Sequence, residues 1–226
     1  WTIHAIGEYI GVPVEEIDYE SAGVNHLAFV MRLQRGGEDL YPLLDAAVRE
    51  GRLPDDDPVR PELYRRLGYY PTESSEHHAE DNPWFIPKGL VERYHVPIGE
   101  YLRRVRENLD AYDEEKRRLD AGESFEIERS GEYAAVIIHS ITTGSLARIV
   151  GNVPNAAGLI PNIAAEACVE VPCLVDALGV RPVAVRALPP QLAAYIHPAV
   201  DAQLLTVRAA LDRDRDAVYH AVMQDP

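Results

Sequence analysis

The chain has 226 residues, 46% hydrophobic and 26% charged, which supplies a core for one large domain or two small ones and argues against disorder. Its formal net charge of −15 argues against a nucleic acid or an anionic membrane surface as partner, because phosphate contacts need clustered Lys and Arg. No apolar run approaches the roughly 20 residues of a bilayer span, and the first residues, with His4 and Glu8, lack the basic start of a signal peptide.

In chain order, Thr2–Ile10 predicts the tail of a helix: Ile3, Ile6 and Ile10 recur at helical spacing and Gly11 can cap it. Val12–Glu20 is a connector. Ser21–Phe29 is the stretch on which the reading turns. Gly23, Asn25 and His26 sit at the mouth of Leu27–Leu33, where Leu27, Phe29, Met31 and Leu33 alternate as in a strand entering a core. His26 therefore stands at the start of a rigid element, where a metal or a proton can be held in fixed geometry; a hydrogen-bonded structural histidine is the alternative. Gly36–Asp39 is a turn, Leu40–Arg49 a helix with Leu40, Leu43, Leu44, Ala47 and Val48 on one face, Leu53–Pro61 a loop, and Glu62–Leu67 a short helix.

Gly68–Lys88 brings aromatic residues, hydroxyls, carboxylates and the pair His77-His78 into one stretch. Such segments carry function or form a solvated loop anchored by Trp84 and Phe85. Ile98–Gly122 reads as one long helix with Leu102, Val105 and Leu109 on its apolar face, its local basic clusters solvated. Glu132–Arg148 reads as a helix with Ile137, Ile138, Ile141 and Leu146 inside and His139 and Thr142-Thr143 as polar exceptions, His139 being either a buried, satisfied histidine or a pocket residue. Ile149–Val153, Cys168–Val171 and Val183–Ala187 are candidate short strands among turn residues, and Pro189–Leu211 and Asp214–Met223 are the last helices. The spacing of Cys168 and Cys173 matches no structural zinc site, so buried reduced thiols are expected, as suits a cytoplasmic protein. The sum is a helix-rich α+β domain with a small mixed or antiparallel sheet and no internal break over residues 1–226.

Three stretches together carry a family resemblance: Ala22-Gly23-Val24-Asn25-His26; Tyr69–Ile86 with Thr72-Glu73-Ser74-Ser75-Glu76-His77; and Asn152–Pro182, which includes Asn152–Asn162, Val169-Glu170-Val171-Pro172 and Gly179–Pro182. In these the whole chain resembles the family-four glycoside hydrolases, most closely their α-galactosidase branch, with Ala164 standing where relatives tend to have Pro. The resemblance implies a fold like the C-terminal half of lactate and malate dehydrogenases, preceded in the intact protein by a Rossmann domain. No Gly-x-Gly-x-x-Gly occurs here. The chain opens on Trp1 and is read as a piece of a longer protein.

The resemblance further implies an NAD- and Mn-dependent elimination, outside the usual two-carboxylate scheme. Oxidation at C3 acidifies the C2 proton, a divalent metal steadies the developing negative charge, the aglycone leaves and water adds. His26 matches the family's metal-binding histidine; the partner cysteine would lie just before Trp1. Asn25 matches a position that contacts sugar hydroxyls, and Glu73, Glu76 and His77 fall in the substrate loop. Tyr69 and Tyr70 are candidates for the C2 base, with packing as their alternative role. The expected cofactors are thus NAD, held by the absent domain, and Mn²⁺. The expected partners are a glycoside, read as neutral because Tyr69–Trp84 holds Glu73, Glu76, Glu80 and Asp81 but no Arg or Lys, and further copies in a homo-oligomer. Two other readings compete: the substrate domain of a 2-hydroxy acid dehydrogenase, which pairs a His with an Asp and uses a pocket Arg, and a non-catalytic assembly module.

Overall fold

The computed structural model describes residues 1–53, 57–126 and 131–225. Helix α1 (Thr2–Ile10) ends on Gly11, whose φ of 70° supplies the left-handed cap. Strands β1 (Asp18–Val24) and β2 (Leu27–Arg35) form an antiparallel hairpin in which Val24 faces Leu27, so Asn25 and His26 are its two-residue tip. The short β3 (Glu38–Asp39) adds to β2, and α2 (Tyr41–Arg49) follows.

The Pro- and Asp-rich loop expected over Leu53–Pro61 is shorter than its composition suggests. Pro54–Asp56 lie outside the described residues, and α3 (Val59–Leu67) begins before Pro61, which its first turn tolerates. The N–H groups of Val59 and Arg60 donate to Ser75 Oγ at 2.9 and 3.2 Å, a cap supplied from another part of the chain.

Beyond the short helices α4 (Ser75–Glu80) and α5 (Leu90–Arg93) runs α6 (Glu100–Asp120), which buries no residue. Its expected apolar face, Leu102, Val105 and Leu109, is exposed, and pairs such as Lys116–Asp120 decorate its length.

The apolar run Glu132–Arg148 divides. Gly144, with φ 76°, ends α7 (Tyr133–Thr143), and β4 starts at Ala147. Ile138, Ile141 and Leu146 are exposed rather than inside, Ile137 is partly buried, and His139 lies in solvent. β4 (Ala147–Pro154) and β5 (Cys168–Asp176) pair antiparallel, and β6 (Gly179–Pro182) completes a six-stranded sheet of order β3-β2-β1-β5-β4 with β6 on β5.

The strand expected at Val183–Ala187 is not formed. Its amides are spent singly, Val183 on the Pro172 carbonyl and Val185 on the Leu159 carbonyl, so no ladder develops. α8 (Pro190–Asp212) and α9 (Arg215–Gln224) close the chain. Cys173 is buried and free as expected; Cys168, at the strand entrance, is free but exposed.

Ala22, Val24, Phe29, Ile149, Val169, Val171 and Val175 form one face of the sheet and pack with Leu63 of α3 and Leu192 and Ile196 of α8. A second cluster joins Ile6, Leu33, Leu44, Tyr64 and Tyr70.

Candidate active site

The site is assembled around the hairpin tip. β1 approaches β2 so closely at Gly23 that a Cβ there would lie 2.3 Å from the Leu27 carbonyl oxygen and 2.5 Å from Ala28 Cα. At the tip, Asn25 is exposed and His26 half-buried, with φ 66°, a conformation uncommon outside glycine. Strain of this kind persists where surrounding structure over-determines it.

The 70–72 segment is laid along β2: Val30 N–H donates to the Tyr70 carbonyl at 2.8 Å and Thr72 N–H to the Ala28 carbonyl at 2.9 Å. The Thr72 side chain adds a bond to Ala28, and Thr2 Oγ1 donates to the Thr72 carbonyl. Ser74 then caps α4 by accepting from His77 N–H at 3.4 Å. These ties deliver His77 onto His26: the two imidazoles stack with centroids 4.1 Å apart and planes 20° apart. His77 Nδ1 lies 2.9 Å from Glu80 Oε2. Asp81, whose carboxyl is raised by burial and held back by the nearby charges of His26 and His77, borders the pair.

On the other side of the tip, the Asn152 amide donates to Asn25 Oδ1 at 3.4 Å. Asn152 on β4 stands opposite Glu170 on β5, and Glu170 stands opposite Gly23 on β1. Glu170 is half-buried. Burial first, and the charge of Glu73 second, push its carboxyl up to about 7.

The expected residues therefore divide. His26, His77 and Asn25 share the tip, and Glu73 joins them through its influence on Glu170. Glu76 turns elsewhere: its carboxylate pairs with Arg104 of α6 at 2.7 Å and lines a cavity of about 380 Å³ with Asp57, Arg60, Ser74 and His95. Tyr70 is completely buried in the second core cluster, and burial pushes its phenol far above the usual range. Its hydroxyl has no hydrogen-bond partner among the described residues, and burial of the ring in this cluster weighs for packing over a role as base. Tyr69 is half-buried against Tyr41, ring centroids 6.3 Å apart. Asn152 and Glu170 were not among the expected site residues. The one charge in the Val169–Val171 run signals an outward position, but not what it faces.

Ring nitrogens bind metal in the ring plane. Two imidazoles stacked nearly parallel cannot both aim at one ion, so the pair offers one ligand. Among the described residues no group of three or more His, Cys, Asp or Glu is arranged to hold a metal. His26 thus fits one arm of a shared metal site. For a dinucleotide's pyrophosphate the described residues offer no glycine-rich strand–turn–helix.

Residues 21–226 match the model of the family 4 glycosyl hydrolase C-terminal domain. The chain belongs to that family. Its relatives include an alpha-galactosidase of Bacillus subtilis (strain 168), 36% identical over 96% of this chain and 51% of the relative. An alpha-galactosidase of Rhizobium meliloti (strain 1021) is 31% identical over 98% of this chain and 48% of its own length. Among solved structures, a 6-phospho-alpha-glucosidase from gut microorganisms in complex with NAD and Mn²⁺ superposes with TM-score 0.76 at 18% identity, covering 99% of this chain and 53% of that one. The family 4 domain described here spans about half the length of the curated relatives it matches. Its fold is the expected α+β one, and among the described residues no helix is long and apolar enough to cross a membrane.

Proposed function

We propose that this domain is the sugar- and metal-holding half of a glycosidase that hydrolyses the O-glycosidic bonds of neutral α-galactosides, in a protein whose other half is a Rossmann domain that binds NAD. The observation that carries the reading is the placement of His26 at a strained hairpin tip, stacked on His77 and flanked by Asn25, in a family 4 chain with alpha-galactosidases among its relatives. His26 supplies one metal ligand, and the His77 ring fixes the plane in which that ligand points. A bound Mn²⁺ contributes Lewis-acid polarisation of sugar oxygens. Asn25, steadied by Asn152, and Glu73 bind hydroxyls and orient the ring.

The dehydrogenase alternative is disfavoured because the His26 ring meets another imidazole, and Arg60 is engaged by Asp57 at 2.6 Å rather than free for a substrate carboxylate. A cytoplasmic homo-oligomer fits the NAD requirement and the exposed apolar residues of α6 and α9. The test is turnover of 4-nitrophenyl α-galactoside by the full-length protein with NAD and Mn²⁺. Hydrolysis that disappears on chelation is expected; failure to cleave any α-galactoside overturns the reading.

A further inference from the structure

We propose that Glu170 is the general acid of this site, the group that protonates the departing glycosidic oxygen; the proposal rests on the glycosidase reading above. Val169, Val171, Cys173 and Val175 of β5 are all buried in the core, so the strand's alternation turns Glu170 to the opposite face. There it is half-buried in a row across three strands, between Gly23 and Asn152. Asn152 also holds Asn25 at the hairpin tip, so Glu170 adjoins the residues expected to bind sugar.

The charged group that bears on Glu170 is a second carboxylate, Glu73, which follows the segment fastened to Ala28. Burial first, and the Glu73 charge second, favour the protonated form of the Glu170 carboxyl. Asn152, opposite it on β4, is uncharged, and Tyr19 of β1 feels the Glu170 charge and has the Arg148 guanidinium 5.8 Å from its ring. The result is a carboxylic acid where a glycosidase needs a donor.

In the elimination, the C2 proton passes to a base and the C2–H pair becomes the second C1–C2 bond. The C1–O pair goes to the glycosidic oxygen, which takes the Glu170 proton and leaves as a neutral alcohol. Water then adds its oxygen to C1 and a proton to Glu170, and the base returns its proton to C2.

The test compares methyl α-galactoside with 4-nitrophenyl α-galactoside in the full-length protein. A nitrophenolate leaves with little protonation; methanol does not. Glu170→Gln should lower kcat/KM on the methyl galactoside by about a hundredfold, within the usual range for general acid catalysis. Its loss on the nitrophenyl galactoside should be at least about tenfold smaller, and the basic limb of the pH profile should vanish. Glu73→Gln leaves Glu170 in place and should move that limb to lower pH, because the charge that favours the protonated form is gone. Equal losses on the two galactosides, or a basic limb unmoved by Glu73→Gln, would overturn the assignment. An inactive wild-type protein would instead sink the glycosidase reading itself.

Discussion

The imidazole rings of His26 and His77 stack at 4.1 Å although 51 positions separate them in the chain. The contact joins the β1–β2 hairpin tip to a short helix whose own cap is Ser74. On the proposed reading this contact makes His77 a positioning partner of His26 rather than a second ligand. In the full-length protein His26→Ala should cost about a hundredfold or more in Mn²⁺ affinity and activity, and His77→Ala about tenfold, the size of effect usual for groups that orient a ligand. Metal titration checks both, with circular dichroism to show an intact fold. Near-normal Mn²⁺ affinity in His26→Ala would show that it is not a ligand.

Gly23→Ala should be among the more damaging single-methyl changes in the chain. Its Cβ would meet backbone atoms of Leu27 and Ala28 well inside contact distance, and backbone cannot swing aside as a side-chain tip can. Overpacking of this kind costs about 1–3 kcal/mol, here with displacement of the hairpin that carries His26. Urea unfolding of the 226-residue chain measures it; an unchanged midpoint would refute the close approach.

Much of the fold was legible because local pattern and local stop signals agreed. Ile3, Ile6 and Ile10 with Gly11 gave α1 to the residue, and the apolar Leu27–Leu33 run gave β2, although a register shift past Met31 puts Leu33 with Val30 in the second cluster rather than with Leu27 and Phe29. The Glu132–Arg148 run failed as a single helix because apolar composition hid a helix stop at Gly144 and a β-branched strand start. The burial of Tyr70 was legible only as one of two open roles. It depends on residues 70–72 lying along β2, a contact across some 40 positions that no local pattern announces. The place of Glu170 between Gly23 and Asn152 likewise required knowing that β5 lies between β1 and β4.

Glu170 also makes a prediction about stability. Its folded pKa of about 7 stands above the ordinary 4.5, so the folded state holds the proton more tightly than the unfolded one. Stability from this source is fully present below about pH 4.5 and is lost as pH rises through 7. Glu170→Gln should therefore gain stability relative to wild type on going from pH 5 to pH 8, by up to about 3 kcal/mol. Paired urea melts at the two pH values measure it, and a difference that does not change with pH would contradict the burial of this carboxyl.

His78 has the opposite sign. It is fully buried, and burial, with the positive charges of Arg60, His77 and His26 nearby, lowers its pKa to about 3. Asn82 Nδ2 donates to the Tyr195 hydroxyl at 2.8 Å, and that hydroxyl, 3.0 Å from His78 Nδ1, has its proton free to donate there. The remaining N–H, on Nε2, is buried without a partner among the described residues. Below about pH 6.5 the unfolded chain takes up a proton that the folded chain refuses, so stability should fall by up to about 1.4 kcal/mol per pH unit. His78→Gln, which can still accept from Tyr195, should flatten the slope between pH 6 and pH 4 even if it lowers stability at pH 7. An unchanged slope would place the acid sensitivity elsewhere.

Substrate class follows from where the cations are. A sugar 6-phosphate needs Arg, Lys or a helix N-terminus aimed at a dianion. Between Tyr69 and Trp84 there is no Arg or Lys, whereas Glu73, Glu76, Glu80 and Asp81 are acidic. The arginines that reach this region are already engaged: Arg104 with Glu76 at 2.7 Å and Arg60 with Asp57 at 2.5 Å. α4 is too short to present a strong N-terminal dipole, and its first turn carries Glu76. Trp84, half-exposed with its ring 5.2 Å from that of Tyr195, offers an apolar face on which a neutral pyranose can rest. The site should therefore prefer a neutral hexoside, unlike the 6-phospho-alpha-glucosidase that shares its fold. The full-length protein should show kcat/KM at least about tenfold higher on 4-nitrophenyl α-galactoside than on its 6-phosphate, a gap of roughly 1.4 kcal/mol in transition-state binding. Trp84→Ala should raise KM for the neutral galactoside more than it lowers kcat, because stacking on an unreacting sugar face is equal in ground and transition states. A clear preference for the phosphorylated galactoside would mean that cations from outside this chain dominate the pocket, and the argument from the acidic 73–81 segment would fail.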